Sequence, residues 1–225
     1  MAFLPPNKIS RSFRWVSYLD LLGFQSLVQG STIDTVLEIY QTVLSSLENH
    51  SRKRLQRVVR VAWFSDTFIL YTSSGSKRNF VLIEQASRLF FLTLVRREIP
   101  VRGALTYGPL YANKKCNVYI GEGLIDAYRY GEGQDWLGFV LTPLAVAQLD
   151  KIGLPARQRL NYREVTEQKI LKSDLQGPVY AVSFRDCNPG KNLYLGPLRA
   201  MKAKAGENHD TKYKNTIGFL QNVRP

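Results

Sequence analysis

The stretch Phe13-Arg-Trp-Val-Ser-Tyr-Leu-Asp20 is rich in aromatic and β-branched residues, which predicts a buried strand that ends on a carboxylate. Two further strand-like runs, Val58 to Phe64 and Thr67 to Thr72, are separated only by Ser65-Asp66. That spacing is typical of a tight hairpin, which would carry Asp66 at its tip. In a βαββ sheet the end of the first strand and this tip are neighbours, so we expect the two acids to converge.

Helical and strand-like patterns continue on either side of these runs. Helical spacing predicts one helix from Ile33 to about Asn49, capped by Ser31 or Thr32, and another from Phe80 to Arg97. The remaining predictions are a strand at Val101 to Tyr107, a turn at Gly108-Pro109, a return strand at Leu110 to Asn113, helices at Gly121 to Tyr130 and Thr142 to Leu149, strands at Asn161 to Ile170 and Val179 to Phe184, and a basic helical end.

This order of elements predicts an α+β fold. It has a ferredoxin-like βαββαβ palm core, with helices over a mixed sheet, followed by a C-terminal extension of strands and a basic helix. The length of 225 residues suits a single domain over residues 1–225, with the core at about 13–150 and the extension at 151–225.

The composition indicates a globular protein that attracts anions. Hydrophobic residues make up 44% of the chain and the formal net charge is +13. Nucleic acid, a nucleoside triphosphate and an acidic membrane surface all fit that charge. Because no apolar run approaches eighteen residues and the first residues do not resemble a leader, we expect a cytoplasmic protein that is neither inserted nor exported.

The paired acids suggest metal-dependent chemistry. Carboxylates are natural ligands of Mg²⁺ and Mn²⁺, and two such ions could activate an attacking hydroxyl and stabilise a leaving pyrophosphate. Alternatively, Asp20 caps the next helix and Asp66 only makes a turn. The residues after the strand, Leu21 to Phe24, would direct backbone N–H groups at a triphosphate, and Gly23 lets the backbone approach closely.

Several motifs in this order resemble the class III nucleotidyl cyclases. Tyr18-Leu-Asp-Leu-Leu-Gly-Phe24 is similar to their first metal motif, and Phe64-Ser-Asp-Thr67 to their second. Three further segments are similar to the short bacterial pyrimidine cyclases of the Pycsar antiphage system. They are Arg102 through Gly108, Gly121 through Glu132 with Gln134 and Trp136, and Lys212 to Thr216.

The resemblance implies a set of roles for particular residues. Asp20, Leu21 and Asp66 would hold two Mn²⁺ or Mg²⁺ ions, and Leu22, Gly23 and Phe24 would bind phosphate. Arg129, eight residues after Gly121, matches the arginine that stabilises the transition state, although a solvated helix face would also explain it. The resemblance further implies a homodimer with its active sites at the subunit interface.

Three departures from the family bear on the base. Ile125, Arg60 and Val118 stand where an asparagine, a base-reading lysine and an aspartate are usual. Arg60 can donate to a uracil carbonyl but cannot accept from an amino group, which favours UTP over CTP as the substrate. The implied product is 3′,5′-cyclic UMP, a signal in antiphage defence that a separate effector protein would read, because nothing in this sequence resembles an effector.

Other interpretations compete with an active pyrimidine cyclase. They are a cytidylate cyclase, a nucleic-acid-binding module, a palm that forms cyclic dinucleotides, and a nucleotide sensor without activity. Most aromatic residues fall at core periods, and Phe64-Ser65-Asp66 is not a Gly-Gly-Asp hairpin, so we expect no stable nucleic-acid or membrane partner. The lysines near the C-terminus suggest a solvated basic helix or one lysine that reaches a triphosphate across the dimer; they are Lys202, Lys204, Lys212 and Lys214.

Overall fold

The computed structural model describes residues 12–24, 58–167, 170–184, 193–205 and 210–222, with six isolated positions between 28 and 41. Their strands form one mixed sheet in the order β2-β3-β1-β4-β6-β8-β7, and β5 pairs with β4 alone. The strands are β1 (Ser12–Leu21), β2 (Val59–Phe64), β3 (Thr67–Thr72), β4 (Val101–Asn113), β5 (Val118–Ile120), β6 (Phe139–Leu141), β7 (Tyr162–Glu164) and β8 (Tyr180–Val182).

Helices cover both faces of the central strands. They are α1 (Lys77–Arg96), α2 (Glu122–Glu132), α3 (Pro143–Lys151), α4 (Leu195–Lys204) and α5 (Asp210–Gln221), with a 3₁₀ turn at Ala156–Gln158. Alternate residues of β1 divide between two clusters, because successive side chains of a strand point to opposite faces. Trp15 and Leu19 pack in the main core with α1, whereas Val16 and Tyr18 pack against Ala127 of α2. No described helix is long and apolar enough to span a membrane.

The expected α+β palm with helices over a mixed sheet is therefore confirmed. The hairpin is also confirmed, since Phe64 pairs with Thr67 and Ser65 has a φ of 54° at the tip. The second predicted helix is present as α1, with Ser76 as its N-cap. The predicted helix from Ile33 to Asn49 lies largely outside the described residues.

The predicted turn at Gly108-Pro109 is wrong. Strand β4 runs without interruption through both residues, and Pro109 pairs with Phe13. A Cβ on Gly108 would lie 2.8 Å from the Cα of Gly123, so the glycine allows α2 to approach the strand rather than the chain to reverse. The reversal comes later, where Asn117 has a φ of 53°, and the return strand is β5.

Strand predictions beyond residue 130 are only partly correct. Strand β6 was not predicted, because its three residues are all buried and show no alternation of apolar and polar residues. It extends the sheet of the core by pairing in parallel with β4. The predicted strands at 161–170 and 179–184 shorten to β7 and β8.

Helix α5 is attached to the loop between α2 and β6. The backbone N–H of Leu137 donates to Thr216 Oγ1 at 2.8 Å, and Asn215 Nδ2 donates to the carbonyl of Asp135 at 2.9 Å. The rings of Trp136 and Phe219 meet edge to face, with centroids 4.4 Å apart. These contacts fix the C-terminal helix against the core.

Replacing Thr216 with valine should lower the free energy of unfolding by about 1–3 kcal/mol. The buried N–H of Leu137 would lose its acceptor while the volume of the side chain is kept. Chemical denaturation measures the change. Thr211 is an exposed threonine on the same helix, so Thr211→Val is the matched control and should change stability by under about 0.5 kcal/mol. Equal effects of the two substitutions would contradict the role of this hydrogen bond.

Candidate active site

Asp20 and Asp66 lie at adjacent ends of the central strands. Asp20 pairs with Thr67 of β3, the residue that follows Asp66 in the hairpin. The backbone N–H of Leu21 donates to the carbonyl of Asp66 at 3.0 Å, which joins the end of β1 to the hairpin tip. Asp20 is 9% exposed and Asp66 is half-buried. The structure thus brings together the two acids predicted from the sequence.

A guanidinium lies against the first of these acids. Arg102, the β4 partner of Asp20, donates from Nε and Nη2 to Asp20 Oδ2, each at 3.3 Å. It also donates to Glu132 at the end of α2, from Nη1 to the backbone carbonyl at 3.0 Å and from Nη2 to Oε2. The hydroxyl of Tyr18 donates to the other oxygen of Glu132 at 3.1 Å. We call Asp20, Arg102, Glu132 and Tyr18 the acidic cluster.

The acidic cluster contains more negative than positive charge. The pKa of the Asp20 carboxyl is raised to about 7, first by burial and then by the charge of Glu132, while Arg102 opposes both. The charge of Asp66 also acts to raise it. Burial, Asp20 and Glu132 likewise raise the pKa of the Tyr18 hydroxyl. One guanidinium does not compensate the carboxylates gathered here.

The turn after β1 is held by two backbone bonds. In addition to the Leu21 bond, the N–H of Leu22 donates to the carbonyl of Pro100 at 2.9 Å, so this predicted phosphate donor is already engaged. Gly23 has a φ of 69°, a left-handed conformation that glycine adopts readily. Phe24 then begins a helical segment. Of the three predicted phosphate-binding residues, Gly23 and Phe24 lie where the chain turns from the end of β1, which carries Asp20, into the helical segment.

Within the described residues, no hydrogen bond or ion pair joins Arg129 or Arg60 to Asp20 or Asp66. The Arg129 side chain is 55% exposed and lies 4.0 Å from Asp174. Arg60 is exposed on β2 and pairs with Tyr71, four residues along β3 from Thr67, which corresponds to roughly 13 Å. Strand alternation nevertheless places Arg60 on the same face of the sheet as Asp20.

Sequence reasoning did not assign a role to Arg102 or Glu132. Both fall inside the resembling segments, but neither is close in sequence to Asp20. The available signal was the position of Glu132 three residues after Arg129 on α2, which puts the two side chains on one side of the helix. Their meeting with Asp20 depends on the pairing of β1 with β4.

Several solved structures that are similar to this chain in fold are nucleotidyl cyclase domains. The guanylate cyclase domain of RhGC from Catenaria anguillulae, in complex with GTP, is 12% identical, with a TM-score of 0.58 over 78% of this chain and 98% of that one. A non-canonical dimeric guanylyl cyclase domain of the RhoGC fusion protein from Blastocladiella emersonii is 11% identical, with a TM-score of 0.55 over 76% of this chain and 94% of that one. The adenylyl cyclase CyaB from P. aeruginosa is 11% identical, with a TM-score of 0.54 over 81% of this chain and 98% of that one.

The chain has the fold of class III cyclase catalytic domains. No protein-family model matches it, and no curated protein matches it in sequence. The likeness therefore extends to the architecture, and the chemistry has to be argued from the residues described above.

The donor set fits a hard divalent cation. Asp20 and Asp66 offer carboxylate oxygens, the ligand type that Mg²⁺ and Mn²⁺ prefer. Burial, and then the charges of Glu132 and Asp66, raise the pKa of Asp20, and a bound cation would stabilise its ionised form. Within the described ranges no group of three or more His, Cys, Asp or Glu side chains is arranged to hold a metal ion. Water and phosphate oxygens would therefore have to complete the coordination, as Mg²⁺ commonly requires.

The stability of the metal-free protein should fall as the pH rises from about 4 to about 7. In that window folded Asp20 retains a proton that an unfolded aspartate, with its pKa near 3.8, has already released. The folded state then binds more protons, so the free energy of unfolding decreases with pH. Melting temperatures measured in chelator should show this slope, and Asp20→Asn should flatten it.

Added Mn²⁺ should raise the melting temperature more at pH 8 than at pH 5.5, because protons compete with the metal ion for Asp20. Equal shifts at the two pH values would contradict metal binding at Asp20.

Proposed function

We propose that this chain is a pyrimidine nucleotide cyclase that converts UTP to 3′,5′-cyclic UMP and pyrophosphate. The observation that carries the proposal is the convergence of Asp20 and Asp66 at the ends of β1 and the β2–β3 hairpin, on a fold shared with cyclase catalytic domains. A neighbour of this fold binds GTP, so the architecture accommodates a nucleoside triphosphate.

In the proposed reaction the ribose 3′-hydroxyl gives up its proton to solvent and attacks the α-phosphate in line. A new O–P bond forms, the bond from the α-phosphorus to the bridging oxygen breaks, and pyrophosphate leaves. Two Mn²⁺ or Mg²⁺ ions bound by Asp20, Asp66 and the carbonyl of Leu21 would lower the pKa of that hydroxyl and neutralise the developing charge. Arg102 donates to Oδ2 of Asp20, which orients the carboxylate so that Oδ1 would be the oxygen that ligates a metal ion. Asp20 can thus ligate while its other oxygen stays fixed.

The active site would be completed by a second copy of the chain. The guanidinium of Arg129 lies 4.0 Å from Asp174, and no hydrogen bond or ion pair of the described residues joins it to Asp20 or Asp66 of its own chain. A transition-state role for this arginine therefore requires the partner subunit's Arg129. One structural neighbour is described as a dimeric guanylyl cyclase domain, which supports a dimer for this fold.

The preference for UTP is proposed from Arg60. Arg60 is exposed on the face of the sheet that bears Asp20, where it could reach the base of a nucleotide held at the carboxylates. Guanidinium groups only donate hydrogen bonds, and uracil O4 accepts where the cytosine amino group does not. We therefore expect Arg60→Gln, which can also accept, to relax discrimination against CTP.

In the cell the cyclic nucleotide would act as a signal in antiphage defence, produced in the cytoplasm and read by a separate effector protein. This part of the proposal rests on the resemblance of the motifs. It includes no stable nucleic-acid or membrane partner for the chain.

Incubation of the purified protein with ATP, GTP, CTP or UTP and Mn²⁺, followed by mass identification of the product, tests the proposal. Cyclic UMP as the main product supports it. Cyclic CMP would retain the cyclase and overturn the choice of base, and a purine product would remove the pyrimidine assignment. Four unchanged triphosphates, with protein that is folded and dimeric, would favour a nucleotide sensor instead.

A further inference from the structure

A second group of charged side chains lies on α1, which covers the face of the sheet opposite to the one that bears Asp20. Trp15 and Leu19 of β1 pack in the core with this helix, and strand alternation directs Asp20 to the other face. The carboxylate of this group belongs to Glu84, in the middle of α1, and its side chain is only 3% exposed. None of the residues predicted to bind metal, phosphate or base belongs to the group.

Two arginines share the carboxylate of Glu84. Arg88, one turn further along α1, donates from Nε to Oε1 at 2.6 Å. Arg159 follows the 3₁₀ turn of the C-terminal extension, and its Nη2 lies 3.6 Å from Oε2. We call Arg88 and Arg159 the arginine pair. One buried negative charge thus faces two positive charges, one from α1 and one from the extension.

The arginine pair has N–H groups without acceptors. The Nε of Arg159 is inaccessible to solvent and has no hydrogen-bond partner among the described residues, and 3.6 Å to Glu84 is too long for a hydrogen bond. Its guanidinium carbon lies 4.9 Å from the centre of the Phe80 ring, which supports one side of the group. Only Nε of Arg88 donates to a described residue. Both side chains keep some exposure, 23% for Arg88 and 20% for Arg159, so solutes can reach them.

A buried tyrosine lies among the same charges without neutralising them. Burial and then the charge of Glu84 raise the pKa of the Tyr162 hydroxyl, against the opposing charges of the arginine pair. The hydroxyl therefore stays protonated and neutral. Within the ranges that the structure describes, Glu84 is the only carboxylate within 4.0 Å of either guanidinium. The arginine pair thus carries one positive charge that no described side chain neutralises.

We propose that the arginine pair binds a phosphate group between α1 and the C-terminal extension. Guanidinium groups match the geometry of phosphate oxygens and bind them through charge-assisted hydrogen bonds, and the anion supplies the negative charge that this group of side chains lacks. The phosphate would link Arg88 to Arg159, so its binding should stabilise the folded chain. Inorganic phosphate and a small phosphate monoester have the same chemistry here. The proposal does not depend on the proposed cyclase activity.

Calorimetric titration with inorganic phosphate, and separately with glycerol phosphate, tests the site at constant ionic strength and in chelator. We expect saturable binding of phosphate by the full chain and a roughly 10- to 100-fold weaker affinity for Arg159→Met, which keeps an aliphatic side chain on Phe80. Binding of both solutes identifies the phosphate group as the ligand, and binding of inorganic phosphate alone identifies the free ion.

Arg157→Met is the matched control for this loss of charge. Arg157 is an exposed arginine in the same 3₁₀ turn, two residues before Arg159, so both variants have the same net charge. Phosphate should bind Arg157→Met as tightly as the wild type. Melting curves verify that each variant is folded, and phosphate should raise the melting temperature of the wild type more than that of Arg159→Met.

Glu84→Gln should have the opposite effect on affinity. The substitution keeps the size of the side chain and removes the negative charge that competes with phosphate for both guanidiniums, so binding should become roughly 3- to 10-fold tighter. The proposal is overturned if the wild-type chain does not bind phosphate, if Arg159→Met and Arg157→Met bind it equally, or if folded Glu84→Gln binds it more weakly. Should Glu84→Gln fail to fold, the comparison of the two arginine variants decides.

Discussion

Substitution of Asp66 by asparagine is expected to reduce formation of the cyclic nucleotide by about 10³-fold or more. The change removes a negative charge at the hairpin tip, next to Asp20, and keeps the size of the side chain. Several kcal/mol of transition-state stabilisation depend on metal held at such a site, and each 1.36 kcal/mol corresponds to a tenfold change in rate. Product formation from UTP and Mn²⁺, measured by mass spectrometry, gives the result.

The fold should tolerate this substitution. Asp66 contributes its backbone carbonyl to the bond with Leu21, and that carbonyl is unaffected by the side chain. Asp150→Asn removes an exposed acid from α3 and serves as the control for loss of a charge, with activity expected to be unchanged. An Asp66→Asn enzyme that is folded and retains most of its activity would exclude the two-carboxylate metal site.

Local signals in the sequence account for the elements that were predicted correctly. The hairpin of β2 and β3 follows from two strand-like runs separated by two residues, and α1 follows from its helical period. Where sequence reasoning failed, a tertiary contact decides the structure. Gly108-Pro109 is typical of a turn, but α2 packs so closely on the strand that the glycine is needed within it.

Local signals in the sequence also allowed part of the candidate site to be predicted. Asp20 ends a strand and Asp66 tips a hairpin, so topology alone places them together. The contacts of Arg102 with Glu132, and the position of Lys212 beside them, join residues separated by 30 and 110 positions in the chain. No periodic pattern encodes such separations, and they become visible only when the register of β4 and the docking of α5 are known.

The partners of the positively charged residues are likewise visible only in the structure. A formal charge of +13 indicates an anionic partner without locating it. In the structure, Lys202, Lys204 and Lys214 lie beside carboxylates, whereas Lys212 is half-buried and close to the charge of Arg102. The two basic helices at the C-terminus thus present mostly ion-paired lysines.

Arg102→Met should cause the largest loss of stability among the substitutions considered, roughly 3–5 kcal/mol near pH 8. The Arg102 side chain is 11% exposed, and its removal leaves the carboxylates of Asp20 and Glu132 facing each other without a cation. For a chain of this length such a loss corresponds to a decrease in melting temperature of roughly 6–20 °C. Because protonation of Asp20 relieves the repulsion, the loss should be smaller near pH 5.5.

Two further variants separate charge balance from packing. Arg129→Met removes an exposed arginine with a 4.0 Å ion pair and should cost under about 0.5 kcal/mol. The double variant Arg102→Met, Glu132→Gln removes one charge of each sign from the acidic cluster, so it should be more stable than Arg102→Met alone. The opposite result is a double variant whose stability is below that of the wild type by the sum of the losses in Arg102→Met and Glu132→Gln. In that case Arg102 stabilises the protein through its packing, and the excess of negative charge around Asp20 does not determine the stability of this site.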